Sequence, residues 1–116
     1  GLVVMALLRK GDLVEFDFSP SKGHEPAGRR PGLVVSSDEF NWSTSMTLVC
    51  PVTTRANYFP LHLELPDELD ERYGCAALEQ VRAFDMETRN PALVAHFDEN
   101  SPFMERVTSV MKSFFG

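Results

Sequence analysis

Cysteine, histidine, tryptophan and basic residues are all scarce in this chain, and each shortage closes off a class of function. Cys50 and Cys75 are the two cysteines. Their separation makes neither a metal-ligand pattern nor a disulfide framework, and it favours two reduced thiols in a cytoplasmic protein. The three histidines, His24, His62 and His96, are scattered with no pair at helix spacing. No metal site and no cofactor are expected. Lys and Arg total 11 against 17 Asp and Glu, for a net charge of −6. The overall field therefore repels nucleic acid, and such a partner must meet positive residues gathered locally. No apolar run approaches the ~18 residues of a membrane span. The opening GLVVMALL is short, and Arg9 and Lys10 follow it rather than precede it, which is the wrong order for a signal peptide. Gly1 to Val4 read either as an added remnant or as part of a longer chain, with Met5 a candidate start. Repeats, linkers and low-complexity tracts are absent.

What is present suits one soluble domain over residues 1–116: 43% hydrophobic and 24% charged residues lie in the ordinary globular range, which argues against disorder. In GDLVEFDFSP, Leu13, Glu15 and Asp17 alternate with Val14, Phe16 and Phe18, the period of a half-buried strand. Residues 19 to 30 form a loop. PGLVVSS is a short buried strand, and DEFNWS a turn or short helix. A third strand runs from about Met46 to Val52, where Pro51 restricts it to an edge or a bulge. LHLELP alternates again, PDELDERYG has a helical look, and AALEQVRAFD makes a fifth strand with room for a bend. In SPFMERVTSVMKSFF, Ser101 is placed to cap a helix with Pro102 in its first position. Phe103, Val107, Val110, Met111 and Phe114 then share one helical face. About five short strands and a closing helix predict a small, partly open, mainly β barrel capped or edged by that helix.

The loop SKGHEPAGRRP carries more chemistry than a connection needs. Gly23 and Gly28 permit turns that other residues resist, and Pro31 biases Arg30 toward an extended conformation at the mouth of a strand. A fixed guanidinium suits phosphate, to which its planar fork can donate two hydrogen bonds. The alternative is an ion pair with Glu25 or another carboxylate. Lys22, Arg29, Arg30 and Arg55 are four of the 11 basic residues, each in a loop or at a strand end. Cleavage of RNA by its own 2′-OH needs a base, a donor to the phosphoryl oxygens and an acid for the departing 5′ oxygen, and no metal. His24, Glu25, Arg30 and a nearby hydroxyl could fill these roles.

The stretch GDLVEFDFSPSKGHEPAGRRPGLVVSS resembles the N-terminal half of the MazF/PemK (Kid) toxins, the ribonuclease partners in toxin–antitoxin pairs. Further family motifs follow in order: FN at 40–41, PVTT at 51–54 and EQVRAFD at 79–85. The resemblance implies an SH3-like barrel with a C-terminal helix. It also implies a homodimer that cuts single-stranded mRNA at short sequences, leaving 2′,3′-cyclic phosphate and 5′-OH ends without metal.

On the matching positions, the resemblance makes Arg30 the electrophilic stabiliser and general acid, and Thr53 a contact to the scissile phosphate. Glu25 is a general base in some members. His24 belongs to the PemK/Kid branch, as does the acidic-Gln pair Glu79 and Gln80, whose acidic residue is the base there. The arginine which that branch carries two places before this acid is Ala77 here, so more weight falls on Arg30. The base stays open among Glu25, His24 and Glu79. Lys22, Arg29, Arg55, Gln80, Arg82 and His24 are candidate RNA contacts, while Arg82 and Asp85 also admit a structural role. Phe40 and Trp42 suit either base stacking or a core or dimer contact, and His62 and His96 read as ordinary surface or half-buried residues.

An acidic, partly disordered antitoxin segment is the implied partner, drawn to Arg29, Arg30 and Arg55. Two other readings compete. A gyrase poison of the CcdB type shares the barrel but ends in Trp-Gly-Ile, whereas this chain ends SFFG with Trp42 its one tryptophan. A plain barrel module would bind a peptide and do no chemistry.

Overall fold

Strand β1, Asp12–Asp17, follows the predicted alternation from its first residue, but both of its faces meet apolar clusters, so Leu13, Val14 and Phe16 are all fully buried. The chain is described here from a computed structural model covering residues 7–18, 28–54, 60–66, 69–70 and 72–116. Among these, β2 (Arg29–Val34) and β3 (Thr47–Thr53) follow, with α1 (Asp38–Thr44) between them. Then come β4 (His62–Glu64), β5 (Cys75–Ala77), β6 (Arg82–Phe84), β7 (Ala92–His96) and α2 (Pro102–Ser113). The pairing is antiparallel throughout, in the order β4-β5-β3-β2-β1-β7, with β6 also on β3. The sheet is open, and α2 covers one side of it.

The expected mainly β architecture with a C-terminal helix is present, with seven strands instead of about five. One addition comes from AALEQVRAFD: a 3-10 turn at 78–80 divides it into β5 and β6, because β3 exchanges one partner for the other along its length. The other is β7, whose exposed residues give little alternation to read. Strand β2 begins at Arg29, inside the expected loop, since Asp17 and Phe16 of β1 pair with Arg29 and Arg30. Pro51 is not at an edge. It pairs with Gly32 of β2, while β3's other flank passes from β6, last paired at Val49, to β5, first paired at Val52. A residue without an N–H fits that seam. The helical look of PDELDERYG falls partly outside the described residues, and those described there form no helix.

Two apolar clusters flank the sheet. The first joins Leu13, Leu33, Cys50, Val52, Ala76 and Leu78 to Met104 and Val107 of α2. Ser101 caps that helix through the Met104 N–H at 3.2 Å, and Pro102 stands in its first turn. The predicted apolar face is present, with Met104 rather than Phe103 deepest. Burying a Met or Val side chain contributes about 1.5–3 kcal/mol, so Met104 and Val107, with Phe103, Val110, Met111 and Phe114 packed beside them, help to dock α2. The second cluster, on the opposite face, holds Val14, Phe16, Val34, Val49, Phe84 and Met86. No described helix is long and apolar enough to cross a membrane.

Candidate active site

The register of β2 and β3 pairs Gly32 with Pro51, Leu33 with Cys50 and Val34 with Val49. The paired register stops at Gly32 and Pro51, and Arg30 and Thr53 each lie two residues beyond it, at the same end of the two strands. Level residues on neighbouring strands point to the same side of a sheet, and residues two apart share a face. Arg30 therefore lies on the face of Gly32 and Val34, and Thr53 on that of Val49. Arg82, paired with Val49, joins them. Local sequence explains the setting. Pro31 holds Arg30 extended, and β2 emerges from the core at this end, so Arg30 is exposed while Val34 is fully buried. Among the described residues Arg30 has no carboxylate partner, which leaves its fork available to a ligand.

This face is aromatic and cationic. Phe16 stacks on Phe18 at 4.2 Å, and both meet Phe84 edge-on at 5.0 and 5.2 Å. The guanidinium carbons of Arg82 and Arg89 lie 4.7 and 5.0 Å from the centre of the Phe84 ring, within the range of a cation–π contact. An acidic protein thus gathers Arg30, Arg82 and Arg89 on one side.

Glu79 sits on the 3-10 turn rather than on a strand, and that turn folds it against β4. His62 Nε2 is 2.9 Å from Glu79 Oε2, and Gln80 Nε2 donates to the same oxygen at 3.1 Å. Burial pushes the Glu79 carboxyl upward, but the hydrogen bonds from His62, its own backbone and Gln80 outweigh it and hold the pKa below the ordinary value. Glu79 is therefore a carboxylate with neighbours that keep it ionised. His62 takes the half-buried of its two expected settings, with its side chain only 7% exposed. His96 likewise binds a carboxylate, Asp12, at 2.6 Å. Cys50 and Cys75 are buried free thiols, and burial, with the Glu79 charge, pushes Cys50 up to about 12. Trp42 is exposed, so it takes no part in the core.

Lys22, His24, Glu25 and Arg55 lie outside the described residues. Arg29 is described, and its Nη2 is engaged by two main-chain carbonyls, those of Glu15 and Asn90, each at 2.7 Å. The described residues contain no group of three His, Cys, Asp or Glu placed to hold a metal ion.

Residues 9–115 match the family described as the PemK-like, MazF-like toxin of type II toxin–antitoxin systems. The chain belongs to this family. It is 39% identical over 79 residues to the endoribonuclease toxin MazF of Escherichia coli strain K12, covering 68% of this chain and 69% of that protein. It is 36% identical over 96 residues to the endoribonuclease toxin ChpB of the same strain, covering 76% and 78%. A solved MazE–MazF structure from Deinococcus radiodurans superposes with a TM-score of 0.82 at 31% identity, covering 97% of this chain and 98% of that one.

Within this MazF/PemK fold, four residues beside the candidate site escaped sequence reasoning. His62 is visible only as one polar position in an alternating strand, and nothing nearby in sequence names Glu79, 17 residues on, as its partner. Arg89 and Asn90 carry no motif. Gly32 resembles a strand glycine of no special role, yet a Cβ there would stand 2.5 Å from Val49 Cγ1, so it lets β2 and β3 pack closely one row from Arg30 and Thr53.

Proposed function

We propose that this chain is the toxin of a type II toxin–antitoxin pair and an endoribonuclease that cuts single-stranded mRNA at specific sequences without a metal ion. The observation that carries the reading is Arg30, exposed at the start of β2 and at the same end of the β2–β3 pair as Thr53, in a chain whose relatives are endoribonuclease toxins. The 2′-OH attacks the adjacent phosphorus as a carboxylate, Glu25 or Glu79, takes its proton, with His24 the other candidate. The new 2′-O–P bond forms as the P–O5′ bond breaks. Arg30 neutralises the phosphoryl oxygens and supplies the proton to the departing 5′ oxygen, and Thr53 fixes the scissile phosphate. The products are a 2′,3′-cyclic phosphate and a 5′-OH. Bases of a single strand are read by stacking and edge contacts, for which Gln80, Arg82, Lys22 and Arg55 are the candidate neighbours.

The protein acts in the cytoplasm as a homodimer. Its antitoxin presents an acidic, partly disordered segment to the arginine-bearing face and orders on binding. Since the attraction is local on a protein of charge −6, affinity falls with added salt. Purified protein in EDTA should cut a mixed-sequence transcript and spare its all-DNA copy, which lacks the nucleophile. Arg30→Ala should lower turnover by roughly 10²–10³-fold, and Arg30→Lys should restore little of it because an ammonium has no fork. Cleavage that requires added metal, or full turnover in Arg30→Lys, defeats the mechanism.

A further inference from the structure

Adjacent arginines on one strand cannot serve one ligand. Successive side chains leave opposite faces of a sheet, so with Arg30 on the side of Thr53, Arg29 is turned away. Arg29 Nη2 donates to the carbonyl of Glu15 in β1 and to that of Asn90, just before β7, each at 2.7 Å. A second guanidinium runs the other way. Arg89 Nη1 donates to the carbonyls of Asp17 and Phe18, at the end of β1, at 2.9 and 3.0 Å. The Asp17 N–H returns a bond to the Arg89 carbonyl at 3.2 Å. Between these contacts Asn90 adopts φ +49°, a left-handed conformation uncommon outside glycine and easiest for asparagine.

We propose that Arg29 and Arg89 are positioning residues for Arg30, a reciprocal pair of clamps that locks the turn before β7 to the ends of β1 and β2. The inference rests on the reading of Arg30 as the phosphate-stabilising group. Arg30 has no ion pair of its own among the described residues, so its aim depends on where the backbone of β2 lies. That backbone is held by β1 through the pairs Phe16 with Arg30 and Asp17 with Arg29, and β1 is held at the same level by Arg89. Each clamp bridges two carbonyls from one terminal guanidinium nitrogen, which sits further from the main chain than a lysine ammonium. A displacement of about 1 Å at a reacting group can cost ~10²-fold in rate. Arg29 thereby moves from the RNA contacts to the scaffold that aims its neighbour.

The test uses an oligoribonucleotide spanning a cut site mapped with wild-type protein. Binding is measured on the same oligonucleotide with 2′-deoxyribose at the cleaved position. Arg29→Met and Arg89→Met should each lower the single-turnover rate at saturating RNA by roughly 10–100-fold. KM, the affinity for the deoxy oligonucleotide and the salt slope of binding should stay at wild-type values. The double variant should lose little more than the worse single one, because either break frees the same turn. Arg29→Lys and Arg89→Lys, which keep the charge on a side chain one bond too short for the clamp, give the same readings if a methionine variant fails to fold. Weaker binding with a salt slope reduced by ~1 would make Arg29 a phosphate contact and overturn the proposal. A lower melting temperature with an unchanged saturating rate would also overturn it. Wild-type protein that cuts no RNA sinks the endoribonuclease reading and this inference together, whereas active wild type with unaltered Arg29→Met sinks this inference alone.

Discussion

Replacing Gly32 with alanine tests the packing of β2 against β3 at the end of the pair where Arg30 and Thr53 lie. Gly32 is level with Val14 on β1 and Pro51 on β3. An added Cβ would stand 2.5 Å from Val49 Cγ1, 3.0 Å from Phe16 Cε1 and 3.2 Å from Phe18 Cζ. Unstrained carbon contacts lie at roughly 3.5–4.0 Å, so the methyl group must displace the aromatic cluster or spread β2 from β3. Overpacking of this kind costs about 1–3 kcal/mol. With an unfolding entropy of about 2.1 cal/mol/K per residue, a chain of 116 residues gives about 0.24 kcal/mol/K, so Tm should drop by about 4–12 °C. Thermal melts followed by circular dichroism read this directly. Val49→Ala removes the nearest obstruction, so Gly32→Ala should cost less in that background than in wild type. The saturating cleavage rate of Gly32→Ala should also fall at temperatures where the protein is fully folded, since the disturbance lies one row from Arg30. A Tm within about 1 °C of wild type, or strictly additive effects of the two substitutions, would refute the reasoning.

Two further predictions concern titratable groups. Glu79 has a folded pKa below its ordinary value, so its contacts stabilise the fold above the unfolded carboxyl's ~4.3 and are lost as pH falls through the lower folded value. Glu79→Gln should therefore flatten the decline in urea-unfolding stability over roughly pH 5 to 3; identical slopes for the two proteins would remove His62 and Gln80 as the cause. Cys50, pushed up to about 12 and fully buried, should resist iodoacetamide at pH 8 in the native protein and react once urea unfolds it, as intact-mass measurement would record. Rapid native alkylation at Cys50 would contradict its burial.

Much of the fold was legible because local signals agreed with the tertiary outcome. The alternation in 12–17 is a strand, and the Ser101–Pro102 start with its apolar stripe is the helix that covers the first cluster. Errors arose where a neighbour far along the chain decides the local form. Strand β2 reaches back to Arg29 because β1 is there to pair with it. Pro51 stands inside the sheet because β3 exchanges partners beside it. The segment around Glu79 bends for the same reason. Arg30, Thr53 and Glu79 could be singled out as candidates because their motifs occur in order along the chain. The roles of His62 and Arg89 could not, since their partners lie 17 and 71 or more residues away.

From its residues alone this chain determines a mainly β architecture with a closing helix, the family to which it belongs, and an arginine held extended by the proline that follows it. Those properties live in periodicity, caps and short motifs, which act over a few bonds. Tertiary structure decided which of two neighbouring arginines stays exposed without an ion pair among the described residues and which is tied to the carbonyls of Glu15 and Asn90. It also decided that a carboxylate on a turn would be kept ionised by a histidine from another strand, and that a glycine must remain small beside Val49, Phe16 and Phe18. Each of these depends on register, and register is set when distant strands pair to bury their apolar faces.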